Sequence, residues 1–244
     1  MRRTPVRRHM RTRRDVLATA SALGAGLLAG CTSSGDGEST GSGGSTTTRD
    51  LLDVDVPDDP DVETVDSLPT PVRGDPDAAV TVQAFEDYAC PHCATYSNEV
   101  VPRLVESYVD PGEVRYEHHD FPLPVNEEWS WAAANAARAV QDALDDAAFF
   151  EYAATLFAHQ DAYVGAGATG YDYLGTVADD LGADATTVVR AAKGGAYDPV
   201  LEADRQAGRD MGVRGTPTVF VDGTATDDPG YDAISSAIDD ARSA

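Results

Sequence analysis

Only three cysteines occur in this chain of 244 residues: Cys31, Cys90 and Cys93. That is too few for a fold stapled by disulfides, and a four-cysteine zinc site would need a second pair that is missing. Lysine is almost absent, with Lys193 standing alone. The balance is 18 bases against 42 acids, a formal net charge of -24. Such a surface repels the phosphates of nucleic acid and of anionic lipid, so neither is expected as a ligand. There is no Asn-x-Ser/Thr sequon, no internal repeat, and no uninterrupted apolar run of the roughly eighteen residues a membrane span needs.

Hydrophobic residues make up 42% of the chain, enough for one sizeable domain with appendages. Acid enrichment beside a normal apolar fraction is not the signature of disorder. It reads as adaptation to molar salt, where the Debye length falls to about 3 Å and self-repulsion is screened.

The N-terminal arm has the opposite charge. Arg2, Arg3, Arg7, Arg8, Arg11, Arg13 and Arg14 face Asp15 as the single acid. Arg13-Arg14-Asp15-Val16-Leu17 leads into an Ala/Gly/Leu run ending in Leu28-Ala29-Gly30-Cys31. The twin arginine and the short, diluted apolar run predict a Tat-type export signal over residues 1–30. Leu-Ala-Gly-Cys resembles the lipobox of exported lipoproteins. The resemblance implies lipidation at Cys31 and an extracytoplasmic protein anchored to the cell membrane by lipid, although one chain anchors only marginally by itself. Residues 31–70, rich in Ser, Thr, Gly and Asp, are read as a flexible tether, and the folded domain as 71–244.

Within that domain Ala79–Phe85 reads as a buried strand, and His92 to Val109 as a helix mildly broken at Pro102. Glu113–His119 alternates with period two, so a second strand follows the turn Asp110-Pro111-Gly112. The period then changes. Helices are expected over Glu128–Leu144, after a cap at Asp146, over Tyr171–Leu181, after a cap at Asp184, and from Asp198-Pro199 to a stop at Gly212. Strand character returns at Thr218–Val221, then a turn at Asp222-Gly223, a short strand and a last helix over Tyr231–Ala241. The sum is an α/β fold with an all-α insertion, about 126–211, between its two halves.

The chemistry lies in Cys90-Pro91-His92-Cys93, directly after the first strand and at the start of the first helix. Pro91 suits the first helical position, where a missing N–H costs nothing. Cys90 then occupies the N-cap, where free backbone N–H groups and the positive end of the dipole favour a thiolate. His92 adds a cationic neighbour. Glu86 and Asp87 are read as solvated acids of the intervening loop. His118 and His119 alternate on a strand and so point to opposite faces. His159 is expected at a helix surface or packed, not in catalysis, and Trp129 and Trp131 in subdomain packing.

This order of elements, with Phe85-Glu86-Asp87-Tyr88-Ala89-Cys90-Pro91-His92-Cys93 at the first helix, resembles the DsbA-like branch of the thioredoxin superfamily. Val213-Arg214-Gly215-Thr216-Pro217-Thr218 is similar to that family's cis-proline segment. Phe149-Phe150-Glu151-Tyr152 with Leu156, Phe157 and Gln160 resembles the aromatic helix of its insertion. The resemblance implies a thioredoxin-like fold and a redox disulfide between Cys90 and Cys93. It also implies a substrate chain held by Thr216 and Pro217, and no cofactor. One position departs from the pattern: the acid often found six residues before the first cysteine is Ala84 here. Cys90 is expected to attack and Cys93 to resolve, forming disulfides in exported proteins, with a membrane component reoxidising the pair. Two other readings stand: a soft-metal chaperone using both cysteines with His92, His118 or His119, and a pathway-specific reductase or isomerase.

Overall fold

The computed structural model describes residues 50–244; the expected export signal, Cys31 and the first part of the expected tether lie outside the described residues. Five strands form one mixed sheet in the order β1-β3-β2-β4-β5: β1 Val72–Arg73, β2 Val80–Glu86, β3 Val114–Asp120, β4 Thr218–Val221 and β5 Thr224–Ala225. Strands β2 and β3 run parallel, with Ala84 beside His118 and Glu86 beside Asp120, and β4 pairs antiparallel to β2. A parallel pair needs a crossover. Here it is a helical run: α1 Pro91–Thr95, a π-type stretch Tyr96–Val100, α2 Val101–Leu104 and a second π-type stretch Val105–Val109. The run does not break at Pro102. The missing N–H and the ring of a proline disturb the preceding turn, and the chain accommodates them by widening that turn.

Five α-helices separate β3 from β4: α3 Glu127–Ala143, α4 Asp146–Ala158, α5 Ala168–Leu181, α6 Ala185–Gly194 and α7 Asp198–Asp210. Helix α8, Tyr231–Arg242, follows β5. Asp184 caps α6 through Thr187 N at 2.7 Å. The cap of α4 is Asp145, which accepts from Ala148 N at 2.9 Å, and not Asp146 as the sequence suggested. The Asp146 carboxylate instead accepts from Val72 N at 3.0 Å and Gln141 Nε2 at 2.9 Å, tying β1 to the insertion.

Alternation along the strands makes two cores. Val80, Val82 and Ala84 pack with Tyr96, Leu104, Val114, Tyr116, Val219, Ile234 and Ile238 on one face. On the other, Phe85 meets Phe121 and Phe220 edge-on. Helix α7 comes so near there that a Cβ on Gly208 would stand 2.8 Å from the Phe121 ring. The third and largest core is the helical insertion itself, and buried Cys93 belongs to it.

Residues 50–70 depart from the expected tether. They lie along the insertion as a strap, with Val56 buried and Val62, Val65 and Leu68 packed on the helical core. Leu52 N donates to Thr176 Oγ1 at 2.9 Å, Val65 N to Ala196 O at 2.8 Å, and Lys193 Nζ to Val56 O at 2.8 Å. Valines spaced among many acids are too sparse to announce a packed segment, yet each finds a partner.

Candidate active site

The loop Asp87–Ala89 carries the chain from the end of β2 to Cys90, the N-cap of α1, with φ -86° and ψ 120° and Pro91 next in line. Cys90 N–H donates to Asp87 O at 3.0 Å, closing a tight turn. Both cysteines are free thiols; Cys90 is half-buried and Cys93 is 0% exposed. The Thr216–Pro217 peptide bond is cis. Its segment faces the helix start, with Thr216 O 3.5 Å from Cys90 Sγ.

The two sulfurs are driven apart in acidity. Cys90 is lowered to about 5, first by the hydrogen bond it receives from the Cys93 thiol, against the opposing effect of burial. The backbone N–H groups of Cys93 and His92 add to this. Cys93 moves far above the ordinary thiol range through burial first, then its bond to Cys90 and the negative charge of Glu86. Asp87 N–H donates to Cys93 Sγ at 3.4 Å. The result is a semi-exposed thiolate beside a thiol that keeps its proton. His92 acts on the sulfur through its backbone N–H. Its exposed side chain lines a groove of about 380 Å³ with Thr95, Tyr96, Thr216, Pro217 and Pro229.

Glu86 and Asp87 are not solvated, as the sequence suggested: they are 2% and 3% exposed. The strand continues one residue past its apolar run to Glu86, and the insertion covers the loop beyond. Asp87 accepts from Ala89 N at 2.8 Å, Leu123 N at 2.9 Å and Ser130 Oγ at 2.9 Å. Its pKa nevertheless rises, because burial outweighs these bonds. Glu86 Oε1 meets Tyr116 OH and His118 Nδ1, each at 3.3 Å. His118 Nε2 lies 3.4 Å from Asp120, which accepts from Arg138 Nε at 2.6 Å. Arg138 also reaches Asp204, whose other oxygen lies 3.2 Å from His119 Nδ1. A cavity of about 250 Å³ lined by Glu86, Tyr116, His118 and exposed Glu106 and Asp110 connects this network to the surface.

Three buried polar atoms flank the pair without a partner: Glu86 Oε2, Tyr88 OH and Thr216 Oγ1. Among the described residues no group of His, Cys, Asp and Glu is placed to hold a metal ion. His118 and His119 do point to opposite faces, His118 against Tyr88 and Phe149 and His119 stacked on Phe85. His159 is exposed at the end of α4, and Trp129 is buried against Tyr163 and Tyr171. The sequence did not single out Ser130, Arg138, Asp120, Asp204 or Tyr163, and it marked Gln160 only as part of a helix. Each has a partner 18 to 85 residues away, so no local pattern reveals them.

No helix among the described residues is long and apolar enough to cross a membrane. The antiporter NhaA 3 of Salinispora tropica is 33% identical over 190 residues, which cover 77% of this chain and 26% of that protein. The chain therefore spans about a quarter of the length of the antiporters it matches. A protein named probable disulfide bond formation protein D, from Bacillus anthracis, is 28% identical over 167 residues, 68% of this chain and 75% of that one. The fold matches oxidised BdbD of Bacillus subtilis with a TM-score of 0.66 at 24% identity, covering 75% of this chain and all of that one. It matches Chlamydia trachomatis DsbA with a TM-score of 0.64 at 22% identity, covering 75% and 98%. A sequence model described as Thioredoxin spans residues 66–240, the whole sheet and its insertion, and the chain belongs to that family.

Proposed function

We propose that the protein is an extracytoplasmic thiol:disulfide oxidoreductase that works as an oxidase, forming disulfides in exported proteins. The observation that carries the reading is the split between the two sulfurs, one ionised at about pH 5 and the other held protonated. The likeness to disulfide bond formation protein D supports the same chemistry.

The cycle starts from a Cys90–Cys93 disulfide. A substrate thiolate attacks Cys90 Sγ, the bond to Cys93 breaks, and Cys93 leaves with the electron pair and takes up a proton. A second substrate thiolate attacks the substrate sulfur of this mixed disulfide and releases Cys90 as a thiolate. The substrate has lost two electrons, and the reduced pair holds them until a membrane oxidant removes them. A leaving group of low pKa departs faster, and a stabilised thiolate makes the disulfide a strong oxidant. Thr216 offers its carbonyl and free hydroxyl to the incoming chain. The groove beside His92 and Pro217 takes a flanking side chain. Pro91 pre-sets the first turn that aims the amides.

The twin arginine at Arg13-Arg14 and the lipobox-like segment ending at Cys31 support a Tat-exported domain held outside the cytoplasm by a lipid anchor. Of the three imidazoles open to the soft-metal alternative, His118 and His119 each lie between two carboxylates, which leaves His92 alone beside the cysteines. The test is trapping. Cys93→Ser should accumulate mixed disulfides through Cys90 in cells, and Cys90→Ser should not; an empty trap overturns the reading. A reduction potential near thioredoxin's, about -270 mV, would reverse the direction to reductase.

A further inference from the structure

Two polar side chains of the insertion reach the loop that carries Cys90. Gln160 sits in a 3-10 turn, Gln160–Ala162, just after α4. Its Nε2 donates to Tyr88 O at 2.8 Å and to Cys90 O at 2.9 Å. Buried Tyr163 donates its hydroxyl to the same Tyr88 carbonyl at 2.6 Å. The Cys90 carbonyl also accepts Ala94 N–H at 3.2 Å, the first bond of the helix. One amide thus uses both hydrogens on the carbonyls that bracket the segment entering the nucleophile.

An N-cap residue has non-helical dihedrals, so the helix alone does not fix its orientation. The thiolate of Cys90 depends on several donors at once, namely the Cys93 thiol and the N–H groups of His92 and Cys93. Hydrogen bonds weaken steeply as they bend, so a small rotation of the Cys90 peptide loses more than one of them. The Gln160 amide lies where it opposes that rotation.

We propose that Gln160 is a positioning residue for the redox pair, holding the Tyr88 and Cys90 carbonyls so that Cys90 Sγ stays aimed at the Cys93 thiol and the helix N–H groups. The helical insertion then sets the reactivity of the thiolate as well as covering the site. This inference rests on Cys90 being the attacking sulfur. A purely structural glutamine, satisfying two buried carbonyls, would support the oxidised and reduced forms equally. A positioning residue supports the reduced form more, because only that form holds the thiolate.

The experiment replaces Gln160 in the full chain by Met, which keeps the length and loses the donors, and by Glu. Iodoacetamide alkylation of the reduced protein against pH, equilibrium with glutathione, and melting of both redox forms are measured. The alkylation midpoint should rise by about one pH unit. The glutathione equilibrium should move about tenfold toward oxidised protein, about 30 mV for a two-electron couple. Midpoint and equilibrium within twofold of the parent, with equal melting losses in both forms, would overturn the proposal. If neither variant folds, Gln160→Asn, one methylene short of the carbonyls, carries the same expectation. An unaltered protein whose Cys90 titrates near the free value of about 8.5 would instead remove the functional reading itself.

Discussion

His118 Nδ1 lies 3.3 Å from Glu86 Oε1, and both side chains are almost fully buried beneath the active-site loop. An acid on the family's usual strand position is replaced by Ala84, and Glu86, two residues on along β2, faces a histidine instead of water. Burial alone would strip the proton from His118. Hydrogen bonds to Asp120 and Glu86 outweigh it, and the pKa rises to about 9.

The sign of the pH effect follows. A folded-state pKa above the ordinary 6.5 stabilises the fold fully below that value and ceases to do so as pH rises through about 9. At about 1.36 kcal/mol per pH unit the charge contributes on the order of 3 kcal/mol. The stability gap between the parent and His118→Gln should therefore be wide at pH 6 and narrow at pH 10 in urea unfolding. Equal gaps at both pH values would refute the charged imidazole.

The cysteines predict a bend in the redox titration. Below about pH 5 reduction takes up two protons, and above it one, because Cys90 stays ionised while Cys93 does not. The reduction potential should fall by about 60 mV per pH unit below the bend and about 30 mV above it. A single slope from pH 4 to pH 9 would contradict the split. By the same linkage the reduced form loses stability as pH falls through about 5, since its thiolate is favoured only in the fold.

Arg138 is the hinge of the buried charges, 0% exposed and bonded to both Asp120 and Asp204. Arg138→Met would leave two carboxylates without their cation. The expected cost is about 3–5 kcal/mol in urea unfolding, partly recovered by Asp120→Asn in the same chain. A loss below about 1 kcal/mol would show that the network contributes little.

A net charge of -24 with one lysine predicts salt dependence. Circular dichroism should show the fold loosening between molar salt and dilute buffer. An unchanged spectrum counts against adaptation to high salt.

Much of the architecture was readable in advance, because periods of two and near four separate strands from helices, and Cys90-Pro91-His92-Cys93 and Thr216-Pro217 mark their places directly. What escaped depends on contacts between distant segments. Glu86 follows an apolar strand and looks like the start of a loop, and only the covering insertion makes it interior. Asp120, Arg138 and Asp204 look like ordinary surface charges of an acidic chain until β3, α3 and α7 meet. Gln160 looks like one more polar residue at a helix end, since its partners are the backbone oxygens of a segment 70 residues earlier.

The strap also bears on where the chain can be cut. Val62 Cγ2 would stand 2.7 Å from a Cβ on Gly194, and Val54 Cγ2 3.0 Å from one on Gly175, so those glycines are fitted to the valines above them. Expression trimmed to residue 66, where the family likeness begins, would bare an oily strip on α5 and α6 and favour clumping. Starting near residue 50 keeps that strip dry.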